Sequence, residues 1–573
     1  MSEKERKNTE EKSVNNDLYK KGMNRRDFLE GTTKVAGAAL GLTFLSSLSS
    51  LPADAASSSS VMKSKGHKPD LVFPVISDVH INSGNNKTLD KLETTLEQLN
   101  QVVPKQDAFV VVGDLTDYGV TAEYDKFMYV YNAKQQSRAV SMFAIGNHDY
   151  WNGLSVEDAQ KRFLDKTGME SIYYHKVIKG YHFIILGTED GLTEGTFSVK
   201  QIKWLGEQLK QAADDDTKKP IFVFHHQPIT GTIYGSEWGF SKNRDLFYDT
   251  LKEYPQVISF SGHTHYPLDD PRIIHQKDFT SIGTSTGAYL WLDSGRVQGE
   301  VPEGADFLNQ ALIVEVHNNK VLIKRRDIHN NDWTDEPFEI SYPAKKNKFT
   351  YTDDRDKKAP FFARDALISI VHDQTTASSL AIMLTQAKDN LLVHDYKVIV
   401  KKADTGETAK ELLAFSEFYK DPVPNPLTLP IDGLKPNTTY EVEVNALDAY
   451  GNISDNSLKA LGKTLDGEVE EVTISLSKTV LNGVKDAVEV KVENVRVPKS
   501  DWIGIYEDNV NPGEQASIWW MYTKVTDGTC QFTYDPKNNI YPDRYKAGAA
   551  YKLVYFYGSG YDAVASTTFK VGS

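Results

Sequence analysis

Leu71-Val72-Phe73-Pro74-Val75-Ile76-Ser77-Asp78-Val79-His80 is an apolar run that breaks directly into an acid and an imidazole two positions apart. A short uncharged run rich in Val and Ile reads as a buried strand. The same pattern recurs four times. Ala108–Val112 precedes Gly113-Asp114-Leu115-Thr116-Asp117, and Ser141–Ile145 precedes Gly146-Asn147-His148-Asp149. Ile221–Phe224 precedes His225-His226-Gln227-Pro228, and Val257–Phe260 leads to Gly262-His263-Thr264-His265. Open α/β sheets gather their sites at the C-terminal ends of strands, so clusters far apart in the chain are expected to converge there.

Between these runs lie amphipathic stretches, the clearest with Leu89, Leu92, Leu96, Leu99 and Val103 on one stripe. The alternation from Leu71 to about Ile340 predicts an α/β layered domain. Whole-chain composition agrees with several compact domains: 573 residues, 40% hydrophobic and 25% charged. Net charge is −14, and no long Lys/Arg block is present, so no nucleic-acid polymer binding is indicated. A single cysteine, Cys530, excludes an intrachain disulfide framework and a Cys-rich zinc site. Twelve of the 14 histidines fall between His67 and His329, which assigns the chemistry to the first half.

At the N-terminus, Asn24-Arg25-Arg26-Asp27-Phe28-Leu29 precedes an uncharged apolar run, Val35 to Leu45, then Ala53-Asp54-Ala55 and a serine tract. This is the layout of a secretory signal. The paired arginines followed by Phe and Leu resemble a twin-arginine signal, which implies the twin-arginine translocation machinery as a partner and bacterial export of a folded chain to the envelope or beyond. The stretch from Val35 through Leu51 is broken by Gly and Ser and is short for a membrane span.

After a basic, polar stretch near Tyr342–Lys358 the helical period disappears. Tyr440-Glu441-Val442-Glu443-Val444-Asn445-Ala446 alternates apolar and polar, the signature of a half-buried strand. Leu434-Lys435-Pro436-Asn437-Thr438-Thr439-Tyr440 resembles the L-x-P-x-T-x-Y stretch of fibronectin type III domains, which implies a corner hydrogen bond at the Tyr. From about Glu470, strand candidates are Val488–Val492, Trp502–Tyr506, Trp519–Tyr522 and Tyr551–Tyr557. Asp501-Trp502-Ile503-Gly504-Ile505-Tyr506 resembles a C-terminal immunoglobulin-like module of secreted phosphoesterases. Its aromatics read as sandwich core in preference to a glycan-binding face.

Taken singly, each polar cluster of the first half reads as a turn, a helix cap or a core histidine. Together they offer carboxylate, amide and imidazole donors for two ions, a set suited to Mn, Fe, Zn or Ni rather than Ca or copper. The order D-x-H, GD, GNHD, H-x-P, GHxH resembles the calcineurin-like metallophosphoesterase superfamily over about Leu71 to Ile340. That resemblance implies a four-layer α/β/β/α sandwich and two divalent or trivalent ions. Asp78, His80 and His265 would hold one ion, Asp114 would bridge, and Asn147, His263 and one of His225 and His226 would hold the other. Alignment on H-x-P selects His226, and the H-H-x-P variant selects His225. The resemblance gives His148 the leaving-group side, oriented by Asp117, and implies in-line attack on phosphorus by a metal-bound hydroxide.

Purple acid phosphatases carry Tyr three residues after the bridging Asp. Here that position is Asp117, which disfavours an iron–tyrosinate centre.

The sequence thus reads as a signal (1–55), a linker (56–69), a metallophosphoesterase domain (70–342), a linker (343–358), a fibronectin type III-like sandwich (359–465) and an immunoglobulin-like sandwich (469–573). The expected function is an exported phosphodiesterase or phosphatase acting on phosphate esters, with a nucleotidase as the alternative within the enzyme class. Tyr234, Trp238, Tyr289 and Trp291 lie in loops beside the metal motifs and are candidates for pocket walls. A cell-wall- or glycan-binding protein with a scaffold phosphoesterase domain is the non-enzymatic alternative, and no ligand position is lost as degeneration would require.

Overall fold

The computed structural model describes residues 68–292, 306–467, 471–495, 501–512, 515, 517–523, 528–539, 544–557 and 561–572. The expected signal (1–55) and all but the last two residues of the expected 56–69 linker lie outside them. In chain order the first half runs β1 (Leu71–Ile76), α1 (Lys87–Val102), β2 (Ala108–Val112), α2 (Thr121–Lys134), β3 (Val140–Ala144) and α3 (Val156–Thr167). Then come β4 (Tyr174–Ile178), β5 (Tyr181–Ile185), α4 (Val199–Asp215), β6 (Ile221–His225), α5 (Arg244–Lys252), β7 (Val257–Ser261), β8 (Ile274–Gln276) and β9 (Thr280–Gly283). A run of strands closes it: β10 (Gln310–His317), β11 (Lys320–Asp327), β12 (Asp332–Trp333) and β13 (Phe338–Ser341).

Two sheets result. The first has the order β12-β11-β10-β1-β2-β3 with β13 also on β11, and the second β4-β5-β6-β7-β9-β8. The strands that carry the polar clusters pair in parallel, with Val75 opposite Val110, Val112 opposite Ala144 and Phe224 opposite Phe260. Their continuous apolar character follows, because parallel strands are covered on both faces. Side chains alternate across each strand and so feed different cores. Phe73, Val75, Val110 and Val112 meet Phe183, Phe222, Phe224 and Phe260 between the sheets. Ile76, Phe109, Val111 and Phe143 turn the other way, onto Leu92, Leu96 and Leu99 of α1 and Phe127 and Tyr131 of α2. Likewise Ile184, Val223 and Val257 pack on Leu205 and Leu209 of α4 and Phe247 and Leu251 of α5.

Local signals fix the helix ends. Ser155 and Ser198 accept from the backbone N–H groups of Asp158 and Gln201, and α3 stops at Gly168 with φ 73°. Among the described residues no helix is long and apolar enough to cross a membrane.

The second half is β-rich. Ile368–Ile370, Ser379–Leu384 and Leu427–Asp432 form one sheet, and Thr408–Phe415, Val393–Lys402, Thr439–Asp448 and Leu458–Lys463 another. Leu380, Ile382, Tyr396, Val398, Val442 and Val444 share the core between them. Tyr440 is fully buried, and the Lys435 N–H donates to its Oη at 2.9 Å, a bond at the corner where the sequence predicts one. The last strands include Val488–Glu493, Trp502–Glu507, Trp519–Tyr522 and Ala550–Tyr557. Trp502, Tyr506, Tyr551, Tyr555 and Phe556 are all buried, so these aromatics are core. The basic 343–358 stretch is docked rather than free: Gln276 N–H of β8 donates to Tyr351 O at 2.7 Å, and Thr350 N–H donates to Gln276 Oε1 at 3.0 Å. An otherwise open sheet edge gains a cover.

Phe73 sits where the two sheets meet, its ring 4.9 Å from Phe183, 5.0 Å from Phe222 and 6.3 Å from Phe224. Phe73→Ala is expected to destabilise the α/β unit by about 3–5 kcal/mol. A fall in the urea midpoint at unchanged slope is the measurement that checks it.

Candidate metal centre

The parallel strands end together, and each hands over to a tight loop. Asp78 and His80 after β1, Asp114 after β2, and His263 and His265 after β7 all adopt left-handed backbone conformations, with φ of 51°, 49°, 49°, 71° and 55°. Such conformations cost on the order of 1–3 kcal/mol each and persist where the surroundings over-determine them. The surroundings here are backbone hydrogen bonds between loops: Asp78 N–H to Gly113 O (3.1 Å), Val79 N–H to Asp114 O (2.9 Å), and Gly262 N–H to His226 O (3.0 Å). Gly113 has φ +85°, and a Cβ there would lie 2.3 Å from His226 Nδ1. At Gly262 a Cβ would lie 2.5 Å from Asp78 Oδ2. Both glycines are needed for side chains to crowd this closely.

Seven predicted residues converge. Asp78, His80 and His265 form one group, Asp114, His226 and His263 a second, and His80, Asp114 and His148 a third, with the ligand atoms of each group within 4.8 Å of one another. His265 Nε2 is 3.1 Å from Asp78 Oδ1 and 3.1 Å from His80 Nε2. His226 Nε2 is 3.1 Å from Asp114 Oδ2 and 3.9 Å from Asp78 Oδ1. All of these residues are buried.

Ring tautomers follow from the outer partners. A carbonyl oxygen only accepts, so His226 Nδ1, 2.8 Å from Val112 O, and His265 Nδ1, 2.8 Å from Tyr289 O, must each carry a hydrogen. In the neutral rings Nε2 is then a bare lone pair facing a carboxylate oxygen, a contact that a ring proton or a bound cation must bridge. His226 Nε2 and His263 Nε2 are buried without any hydrogen-bond partner. These donors fit metal ions.

The electrostatics agree. Burial pushes both carboxylates up, but His265 and His226 hold Asp78 below the usual carboxylate range, and His226 and His148 hold Asp114 well below it. Burial also opposes charge on His226, yet Asp114 and Asp78 raise it to about 9. Burial first, and then the nearby His148 and His226 imidazoles respectively, lowers His80 to about 4 and His263 to about 3.

His225 turns away. Its Nδ1 is 2.6 Å from Gln227 O, its Nε2 is 2.7 Å from Ser259 Oγ, and its ring lies among Phe197, Phe240 and Phe247. Of the adjacent pair, the structure brings His226 to the cluster. Asn147 is buried, and Gln227 Nε2 donates to its Oδ1 at 3.3 Å. Asp117 departs from expectation: His148 Nδ1 bonds to its backbone carbonyl at 2.9 Å, while its carboxylate lies 3.7 Å away. That carboxylate is 3.3 Å from His80 Nδ1 and accepts from Asn82 Nδ2 at 2.8 Å, because the loop after β2 turns it toward the loop after β1. Asp117 thus orients His148 with its main chain and faces His80 with its side chain. Of the aromatics named from sequence, Tyr289 meets His265 edge to face with centroids 4.6 Å apart, and Trp291 and Trp238 meet at 4.8 Å. Tyr234 packs on Tyr266 at 4.4 Å, one residue beyond the ligands.

Three contributors are not among the residues singled out from sequence. Trp151 lies over His148 with ring centroids 3.7 Å apart. Asp149, fully buried, accepts from Thr116 Oγ1 (2.7 Å), Gly146 N–H (3.0 Å) and Tyr124 Oη (3.2 Å), and burial with the nearby Asp114 raises it to about 6. Glu123 of α2 bridges two loops, accepting from Ser83 N–H at 3.1 Å and Tyr118 N–H at 2.8 Å. Only Asp149, inside a polar cluster, had a local signal.

Comparison with known proteins agrees with this geometry. Residues 72–267 match the family described as calcineurin-like phosphoesterase, and this stretch is a calcineurin-like metallophosphoesterase domain. A Mycobacterium tuberculosis protein named a cAMP/cGMP dual specificity phosphodiesterase is 30% identical over 208 residues, 35% of this chain and 63% of that protein. An Arcobacter nitrofigilis protein named a probable glycerophosphodiester phosphodiesterase is 27% identical over 207 residues, 34% of this chain and 72% of its own length. A 3′,5′-cyclic-nucleotide phosphodiesterase of Nostoc is 24% identical over 198 residues, 33% of this chain and 70% of its length. The match to the mycobacterial protein thus covers less than two thirds of that relative.

Burial raises Glu123 from 4.5 to about 7. A carboxyl raised in the folded state contributes stability in full below its unfolded value and loses it as pH rises through the folded one. Wild-type stability, measured by thermal melting in chelator, should therefore fall relative to Glu123→Gln by about 3 kcal/mol between pH 4.5 and pH 7. Parallel curves for the two proteins would contradict the assignment.

Proposed function

We propose that residues 70–342 form a four-layer α/β/β/α hydrolase that holds two metal ions and cleaves phosphodiesters. The observation that carries this reading is the convergence of two buried carboxylates with the imidazoles of His80, His226, His263 and His265, of which His226 Nε2 and His263 Nε2 are buried without a hydrogen-bond partner. Asp78, His80 and His265 would hold one ion, Asn147, His226 and His263 the other, and Asp114 would bridge them. When bound, two such ions lower the pKa of water and polarise a phosphoryl group. Manganese, iron and zinc all suit this mixed oxygen and nitrogen set.

The chain's own groups supply the rest. His148 donates Nδ1–H to Asp117 O, and in the imidazolium form its Nε2–H would stabilise charge on, or pass its proton to, the departing alkoxide, leaving the ring neutral. Trp151 fixes the imidazole plane from one side, and Tyr289 backs His265 from the other. Low solvent access strengthens each of these interactions. The names of the relatives favour a diester over a monoester substrate.

The twin-arginine-type signal at Arg25-Arg26 supports export to a bacterial envelope with the ions already in place. The three-plus-four strand arrangement and the Tyr440 corner bond support a fibronectin type III-like reading of 359–465. Among the described residues, eight strands between Thr473 and Val571 support an immunoglobulin-like reading of 469–573.

The test is hydrolysis of bis-p-nitrophenyl phosphate against p-nitrophenyl phosphate by manganese-loaded protein. Diester turnover should be faster, should vanish on chelation and should return with metal. His148→Ala should lower kcat by about 10²–10⁴-fold while the bound-metal content stays unchanged. Faster monoester turnover would replace the diesterase reading with a phosphatase, and no turnover of either ester by metal-loaded protein would remove the general phosphoesterase reading.

A further inference from the structure

The β-rich unit that follows the catalytic domain is seated directly behind one of the predicted ligands. Residues Tyr289–Leu292 are the connection. His265 Nδ1–H bonds to Tyr289 O at 2.8 Å, and Trp291 N–H donates to His265 O at 3.2 Å, so this segment grips His265 by ring and backbone together. Just upstream, Gly287 N–H donates to Ser77 O at 2.9 Å and Thr286 Oγ1 to Asp78 O at 3.2 Å, which ties the same segment to Asp78.

Alternate side chains of an extended segment face opposite ways. Tyr289 and Trp291 turn toward the site, onto His265 and Trp238. Leu290 and Leu292 turn the other way, into an apolar cluster with Leu308 and with Phe418 and Tyr419 of the β-rich unit. Leu290 and Leu292 are wholly buried, and Phe418 and Tyr419 are only 6% and 4% exposed. A second contact supports the same ligand. His394 of the β-rich unit packs 4.9 Å from Phe418, and its Nε2 lies 3.2 Å from Tyr234 Oη and 3.5 Å from Asp270 Oδ2. Tyr234 in turn packs on Tyr266, the neighbour of His265.

We infer that Phe418 is a positioning residue for His265, acting through Leu290 and Leu292, so that the β-rich unit sets the metal affinity of the Asp78, His80 and His265 group. This inference rests on the two-metal reading above. Residues that orient metal ligands from behind typically contribute about 10–100-fold in metal affinity when they are removed. The seam is therefore part of the site's support.

The test titrates manganese into chelator-stripped full-length protein by calorimetry and follows amide hydrogen exchange over residues 286–292. Wild type should show two binding events. Phe418→Ala should weaken one of them by about tenfold or more, leave the other within threefold, and speed exchange at the Trp291 amide. Phe418→Leu should restore the weakened event. Leu292→Ala truncates the same contact from the catalytic side and should reproduce the effect, so the inference stays testable if Phe418→Ala misfolds. Val442→Ala, in the β-rich core away from the seam, is the control for general destabilisation. Two unchanged binding events despite faster exchange over 290–292, or an equal loss in Val442→Ala, would overturn the inference with the two-metal reading intact. Fewer than two events in wild type would overturn both.

Discussion

Two carboxylates, Asp78 and Asp114, are taken out of water at the ends of adjacent parallel strands, and the architecture of the first half is arranged around them. Leaving such charges buried and unpaired costs several kcal/mol. Their surroundings meet that demand partly with backbone: His263 N–H donates to both Asp78 oxygens at 3.1 and 3.0 Å, and His148 N–H donates to Asp114 Oδ1 at 2.9 Å. The remaining oxygens face imidazole nitrogens, His226 Nε2 at 3.1 Å from Asp114 Oδ2 and His265 Nε2 at 3.1 Å from Asp78 Oδ1. Positive charge completes the balance, carried by His226 when it is protonated or supplied by the ions the site is proposed to hold. The left-handed loops follow from it, since extended backbone would not bring acid and imidazole side chains from three strands to one point.

Much of this was legible because each ligand stands immediately after an apolar run, so strand and chemistry are read from one local pattern. The His225 and His226 ambiguity shows where local pattern stops. Both fit a motif, and the fold separates them by strand parity: Phe222 and Phe224 face the core between the sheets, Val223 faces the helices, and His225 shares the side of Val223. The sequence pairs Asp117 with His148 through its carboxylate, whereas the contact runs through its carbonyl, and a sequence cannot distinguish the two as the bonding group. Glu123 and Trp151 had no signal, because their partners come from other loops or depend on ring stacking. The seam between Leu292 and Phe418 joins residues more than a hundred positions apart, beyond the reach of periodicity.

The β-rich second half was read correctly as strand-rich, and its aromatics as core. Composition marked 343–358 as polar chain, yet its backbone covers the β8 edge, since hydrogen bonding there is a matter of main chain and not of side-chain type. Together with the Leu290, Leu292 and Phe418 cluster, this makes the second half continuous with the support of the candidate metal centre.

The central claim is that the buried carboxylates and bare imidazoles exist to hold two ions, and anomalous diffraction from crystals grown with manganese tests it most directly. The account predicts two peaks about 3.5–4 Å apart, one on either side of the Asp114 carboxylate, the first against Asp78, His80 and His265 and the second against Asn147, His226 and His263. A single peak, or density away from Asp114, would contradict it.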